Sequence, residues 1–473
     1  MNVIVIDIDS LRADHVGAYG YDAQTTPNID ALAADGIRFD RAYAANSPCM
    51  PSRAALVSGR YGVHNGVETH GPPGQTLFSP ATRTDWDDRP AAAFRSLPEQ
   101  LFNNRFQTGA ISSFPRHPAL WFYHVWHEFY QPQEPVDPDR TDVPTEEPRP
   151  DGLPTEGFQT PRGANIADLA IQYLDRHTDE DLFLYTQFWD PHEPYNRTHD
   201  EIEPFRTDTS APPYPTADQI EEHRTWDVVR GATDMNVAER SDLLELLARY
   251  DAEIRYVDEH VGRLIDELKR QEMYDESLIF LTADHGEEFG EHGQYRHHCS
   301  THDGTQRIPL IVKPPAFTGT NRGGATDALV TNVDIAPTVV DYVGLETPAG
   351  WQGRSLRPVL EQEMVDWRDD VVFDHGLYRA QRAIRTDRWK LIRTHHAGLL
   401  DGVTPEYQLF DMTVDPWEQD DVAADHPEMI SELKDRLLAW TDEHVGPEED
   451  PIHRIARVGP TGYNWFKDTW DGV

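Results

Sequence analysis

Short apolar runs punctuate this chain, and longer stretches with apolar residues every three or four positions lie between them. Val3 to Ile6, Thr108 to Ile111, Leu182 to Tyr185 and Leu278 to Thr282 are unbroken enough to predict strands buried on both faces. Leu243, Leu244, Leu247, Tyr250, Ile254, Val257, Val261, Leu264, Ile265 and Leu268 predict one long amphipathic helix lying on the sheet. Further helices are expected from Thr26 to Gly36 behind a threonine cap and Pro27, from Phe94 to Asn104, from Asn165 to Arg176 and from Asp334 to Tyr342. After Asp366 the pattern changes to short strands (Val371 to Phe373, Ala383 to Arg385, Trp389 to Arg393), then a helix from Pro427 to Trp440. Strands alternating with helices describe an α/β protein.

Loops carry the remaining composition. Gly71 to Pro90 is polar and proline-rich and reads as a surface loop. Gln131 to Pro161 is rich in proline and acid and reads as an insertion or lid. Acids outnumber bases 83 to 42, for a net charge of −41, and five of the bases are lysines. Such a surface repels nucleic acid and anionic membrane, and points to adaptation to high salt. Met1 leads straight into an apolar strand without the basic start and cleavage site of a secretion signal, so the expected address is cytoplasmic. Two cysteines, Cys49 and Cys299, argue against a disulfide framework, although a bridge between them remains open at this stage.

The chemistry gathers where strands end. Asp7 and Asp9 close the first strand two residues apart, hence on one face, where two buried acids call for a cation or donors. His192 follows the Leu182 strand, and Asp284-His285 follows the Leu278 strand. Open α/β sheets bind ligands at the carboxyl ends of their strands, so these loops are expected to converge. Between the first two strands stands Cys49-Met50-Pro51-Ser52-Arg53, four residues ahead of Ser58-Gly59. Proline suits the first position of a helix, which puts Cys49 at a helix N-terminus, where N–H groups and the helix dipole favour negative charge. His297-His298-Cys299 to His302 does not have the spacing of the usual zinc sites.

The Cys-x-Pro-Ser-Arg stretch with its Ser-Gly resembles the signature of the type I sulfatases of the alkaline phosphatase superfamily. Asp9-Ser10-Leu11-Arg12, Asp284-His285-Gly286-Glu287 and Arg307-Ile308-Pro309-Leu310 extend the likeness, which runs to about Trp440. It implies an alkaline-phosphatase-like sandwich: a large mixed, mostly parallel sheet flanked by helices, plus a smaller C-terminal antiparallel sheet with one helix. The divisions are then a catalytic domain at 1–365, a subdomain at 366–440 and a tail at 441–473. It further implies that Cys49 is oxidised to formylglycine by a formylglycine-generating enzyme, and that the hydrated aldehyde is the nucleophile. Arg53 would hold that nucleophile, and Asp9, Ser10, Cys49, Asp284 and His285 would hold one divalent ion. Calcium is the family's usual ion, with magnesium, manganese or zinc as alternatives. The implied substrate is a small-molecule or saccharide sulfate ester.

Departures from the family pattern matter as much. Ser10 replaces the second acid, Ser113 stands at a lysine position with Arg116 and His117 close by, and His298 stands at a second lysine position. His192 inherits contact with the sulfate, and His192, His298 and His117 are candidates for assisting the leaving oxygen. The runner-up is a phosphonate monoester or phosphodiester hydrolase of the same superfamily. A catalytically silent binding protein is a more distant third.

Overall fold

The computed structural model describes residues 1–71, 95–114, 120–132, 163–206, 212–320, 323–362 and 366–470. Arg116, His117 and nearly all of the two predicted proline-rich loops lie outside them. The strands are β1 Asn2–Ile8, β2 Ile37–Tyr43, β3 Asn46–Ser47, β4 Gln107–Ser112, β5 Glu128–Tyr130, β6 Leu182–Phe188, β7 Ser277–Ala283, β8 Glu288–Phe289 and β9 Tyr295–His297, followed by β10 Leu310–Lys313, β11 Gly324–Thr331, β12 Asp370–His375, β13 Ala380–Thr386, β14 Trp389–His396 and β15 Tyr407–Asp411.

Eight of them form the main sheet in the order β11-β2-β10-β7-β1-β6-β4-β5. All its pairings are parallel except those of β10, which runs antiparallel to β2 and β7. β1, β6 and β7 are buried along their whole length, as their unbroken apolar runs require. These three strands are adjacent and parallel, with Asp7 level with Gln187 on one side and Thr282 on the other. Their carboxyl ends therefore open at one place.

The long helix, Arg240–Arg270, buries the predicted stripe against the sheet, but Leu244 is left exposed because Leu243 and Leu244 cannot share a face. It also supplies a cap that was expected from elsewhere. Thr26 leads the Pro27–Asp35 helix without capping it. Its hydroxyl accepts from Gly17 N at 2.8 Å, while Asn28 N and Ile29 N donate to the Asp258 carboxylate at 3.1 and 2.8 Å. A cap from a neighbouring helix meets the same orphan donors and ties the two helices together.

The second sheet has the order β15-β14-β13-β12-β3, antiparallel except where β12 runs parallel to β3. Helix Pro427–His444 packs on it, Leu433 and Leu437 meeting Val372, Ile384 and Leu391. The tail forms two more helices, Pro451–Val458 and Thr461–Trp470, the first seating Ile452 and Ile455 against Ala380. Among the described residues no helix is long and apolar enough to cross a membrane.

Candidate active site

The helix that carries Cys49 begins two residues earlier than proline placement suggests. It spans Cys49–Ser58 with Pro48 as its N-cap, so Cys49 is its first residue and Pro51 its third. Pro51 is harmless there because the first N–H groups of a helix lack intrahelical partners anyway. Gly59 closes it at φ 62°, and a Cβ there would come within 2.9 Å of the Trp351 ring. Every residue of the helix is buried, which fixes the first turn against the end of β1.

Arg53, one turn in and fully buried, faces three carboxylates. Its Nε donates to Asp7 Oδ2 at 2.8 Å, its Nη2 to Asp9 Oδ2 at 2.9 Å, and its Nη1 lies 2.8 Å from Asp284 Oδ2. Burial alone would favour the neutral guanidine, but Asp284, Asp7 and Asp9 together keep Arg53 charged. Burial pushes the carboxyls of Asp7 and Asp284 up, with Arg53 opposing it in both. The Phe114 ring covers the guanidinium at 4.6 Å. Asp7 and Asp9 thus share one face, as their spacing predicts.

His285 completes the group. Its Nδ1 lies 2.8 Å from Gly286 O, which can only accept, so the proton sits on Nδ1 and the bare Nε2 points at Cys49 Sγ, 3.1 Å away. The same Nε2 is 3.4 Å from Asp284 Oδ2 and 3.8 Å from Asp9 Oδ1. One ligand atom from each of Asp9, Cys49, Asp284 and His285 lies within 4.8 Å of the others, all buried. Ser10 is held at φ 58°, its N donating to Asp284 Oδ1 at 3.1 Å and its Oγ to Asp9 Oδ1 at 3.2 Å. Its hydroxyl therefore orients an acid of the group. Burial, then Asp9 and Asp284, push the Cys49 thiol up.

The charge of this group supplies a test of the metal. Three buried carboxylates face one guanidinium, a deficit that a divalent cation would cancel, and Asp7 Oδ1 has no hydrogen-bond partner. The residues fit such an ion.

His192 and His298 lie beside the cysteine. With Cys49 they offer three ligand or proton-carrying atoms within 4.8 Å of one another, and the rings of His192 and His298 are 5.4 Å apart. Burial pulls His298 down to about 4, so it is neutral at pH 7 and does not replace a lysine's charge. Its Nδ1 is 3.4 Å from Glu287 Oε1, a carboxyl that burial pushes up to about 8. Glu287, His297 and His298 form a third such group, without Cys299. Cys49 and Cys299 are both free thiols, which closes the question of a bridge. Ser113 is spent on Gln187, donating to its backbone and side-chain oxygens at 3.1 Å.

Several contacts here carry no sequence signal. Met50 N donates to His70 Nε2 at 3.0 Å beside Cys49, and Tyr185 donates to Asp7 Oδ2 at 2.5 Å. Ser52 Oγ donates to Asp284 O at 2.6 Å and accepts from Asn332 at 2.8 Å, stitching helix to strand end. His64 lies in the short Gly62–Asn65 helix, 3.0 Å from His444.

Residues 1–345 match the sulfatase family, and residues 290–443 match the C-terminal region of N-sulphoglucosamine sulphohydrolase. The chain is 26% identical to an N-acetylglucosamine-6-O-sulfatase of Bacteroides thetaiotaomicron over 95% of its own length and 87% of that protein's. Among solved structures it resembles one described in complex with its substrate D-glucosamine-2-N,6-O-disulfate (TM-score 0.69, 23% identity, 95% and 99% of the two chains). It also resembles the phosphonate monoester hydrolase of Silicibacter pomeroyi (TM-score 0.70, 23% identity, 94% and 96%). Its fold is that of the alkaline-phosphatase-like sulfatases, and the chain belongs to the sulfatase family as a sulfuric ester hydrolase.

Proposed function

We propose that the enzyme cleaves sulfate esters of saccharides or small molecules with a formylglycine made from Cys49 and one divalent ion held by Asp9, Cys49, Asp284 and His285. The observation that carries this reading is the convergence of those four ligand atoms with Arg53 at the start of one helix. The modified residue would supply a hydrated aldehyde: attack of one hydroxyl oxygen on sulfur would break the bond to the alcohol oxygen, the alcohol leaving with a proton, and deprotonation of the other hydroxyl would then expel sulfate and restore the aldehyde. The ion supplies alignment of that hydroxyl and Lewis acidity toward a sulfate oxygen. Calcium is the family's usual ion, but an imidazole donor and the loss of an acid at Ser10 favour manganese or zinc.

The chain's own residues do the rest. Arg53 pins the three carboxylates and keeps the nucleophile's surroundings from accumulating bare negative charge. His285 Nε2, unprotonated, points at the position the nucleophile occupies. His192 and His298 stand close to the same atom and are the candidates for protonating the leaving alcohol oxygen. The saccharide reading draws on the relatives' named substrates. The catalytic unit is taken as 1–365, the subdomain as 366–440 and the tail as 441–473, and the acidic surface as an adaptation to salt.

A second reading has one observation behind it. With Ser113 committed to Gln187 and His298 neutral, the described residues bring few cations to the pocket, which suits any singly charged tetrahedral ester, including phosphonate monoesters and phosphodiesters. Peptide mapping of protein from its native host tests the first claim: position 49 should be about 18 Da lighter than cysteine. Active enzyme carrying only unmodified Cys49 would refute it, and paired aryl sulfate and aryl phosphonate assays separate the two reactions.

A further inference from the structure

The helix-covered face of the C-terminal sheet holds cations that the chain's many acids leave alone. Strand register sets Arg382 on β13 opposite Arg393 on β14, and Arg393 opposite Tyr407 on β15. Like charges directly opposed across strands are destabilising unless something intervenes. Arg382 is provided for, paired with Asp374 at 2.7 Å and Asp450 at 2.6 Å. Arg393 is not. Among the described residues its side chain makes no ion pair, its Nε is buried without a hydrogen-bond partner, and its guanidinium meets only the Tyr407 ring, 5.7 Å away.

Lys434, from helix Pro427–His444, approaches the same ring, with Nζ 4.2 Å from its centroid and no carboxylate among the described residues. In a chain with 83 acids for 42 bases, two neighbouring cations without an acid run against the composition. Both face a cavity of about 240 Å³, which His395 and His453 also line. Asp450, the carboxylate on its wall, is committed to Arg382. Burial, with Arg393 adding to it and Asp450 opposing, holds His395 down at about 3.

We propose that this cavity binds a tetrahedral oxyanion, either free sulfate or the sulfate group of a saccharide, between Arg393 and Lys434 over the ring of Tyr407. A sulfate there meets the forked donors of Arg393, the ammonium of Lys434 and an aromatic floor against which a sugar ring can lie. The cavity shares no lining residue with the Cys49 group and does not depend on the reaction assigned to it.

Lysine acylation read by peptide mass spectrometry tests this on the unaltered full-length enzyme, since only five lysines compete for label. At constant molar chloride, added sulfate should slow labelling of Lys434 about tenfold, the loss expected when a charge-assisted contact occupies the amine. Exposed Lys269 and Lys467 should label as before. Glucosamine 6-sulfate forms the second arm: protection at lower concentration than sulfate identifies a saccharide occupant, and equal protection identifies the free ion. In equilibrium dialysis with labelled sulfate, the Arg393→Gln, Lys434→Gln double variant should lose one bound ion while keeping aryl sulfate turnover. Labelling of Lys434 that ignores both ligands, or a double variant that binds as much sulfate as the parent, would overturn the site.

Discussion

The Nε2 of His285 stands 3.1 Å from the sulfur of Cys49, and the ring's other nitrogen is fixed by the carbonyl of Gly286. That pairing sets the tautomer of His285 in advance, as a ligand in the proposed metal site requires. Chelation should therefore abolish turnover and lower the melting temperature. An ion at a hundred times its dissociation constant stabilises by about 2.7 kcal/mol. His285→Ala should weaken ion binding by at least the roughly tenfold that loss of even an outer partner brings. Metal analysis with chelator titration measures both, and full activity in metal-free protein would remove the site.

Arg53 is the one cation within reach of Asp7, Asp9 and Asp284 among the described residues. Arg53→Met leaves three buried acids without it and should destabilise the protein by about 3–5 kcal/mol. Urea unfolding with and without saturating metal reads the effect, and the metal should return part of the loss. A neutral outcome would mean that the carboxylates have another partner.

Substrate charge offers a separate check. A phosphate monoester carries nearly two negative charges at neutral pH, a sulfate monoester one. With His298 neutral and Ser113 engaged, kcat/KM should favour the sulfate over the phosphate of the same alcohol. His298→Lys should narrow the ratio about tenfold, the worth of one charge-assisted contact. Phosphate preference in the unaltered enzyme would contradict the charge reading.

Acid should unfold the protein through histidines far from the active site. Burial holds His64, His223 and His260 down at about 4, against 6.5 when unfolded. Between pH 6.5 and 4 the unfolded chain takes up protons that the native state refuses. Stability is complete above 6.5 and falls as pH drops, by up to about 1.4 kcal/mol per pH unit for each group. Urea midpoints at pH 7 and pH 5 should differ accordingly, and His223→Asn should flatten the slope.

Salt should act in the opposite sense to acid. At −41, self-repulsion is long-ranged at low ionic strength and screened within about 3 Å at 1 M. The melting temperature should climb from low to molar potassium chloride. A flat profile would count against adaptation to salt.

The fold was readable wherever burial wrote itself into periodicity. β1, β6 and β7 are covered on both faces, so their apolar runs could not be interrupted, and the stripe of the Arg240–Arg270 helix follows from one face meeting the sheet. Contacts across the chain were not readable. That Asp258 caps a helix some 230 residues earlier, or that His70 receives the N–H beside Cys49, depends on packing that no local spacing encodes. Acids and histidines at strand ends announced where the site would lie. The cation that joins Asp7 to Asp284 was legible only as one residue of a motif, since Arg53 gives no sign of three partners on two strands.

The two-residue strand β3 has a further meaning for how this protein is made. Ser47 is held by His375, 328 positions later in the chain, at 2.8 Å, and its neighbour Asn46 pairs with Asp374. While the chain emerges from the ribosome, the segment leading into Cys49 has no β12 to lie against until most of the polypeptide has been synthesised. In the finished fold Cys49 is only 3% exposed. The modifying enzyme proposed for Cys49 would reach its sulfur during that interval, before β12 pairs with β3.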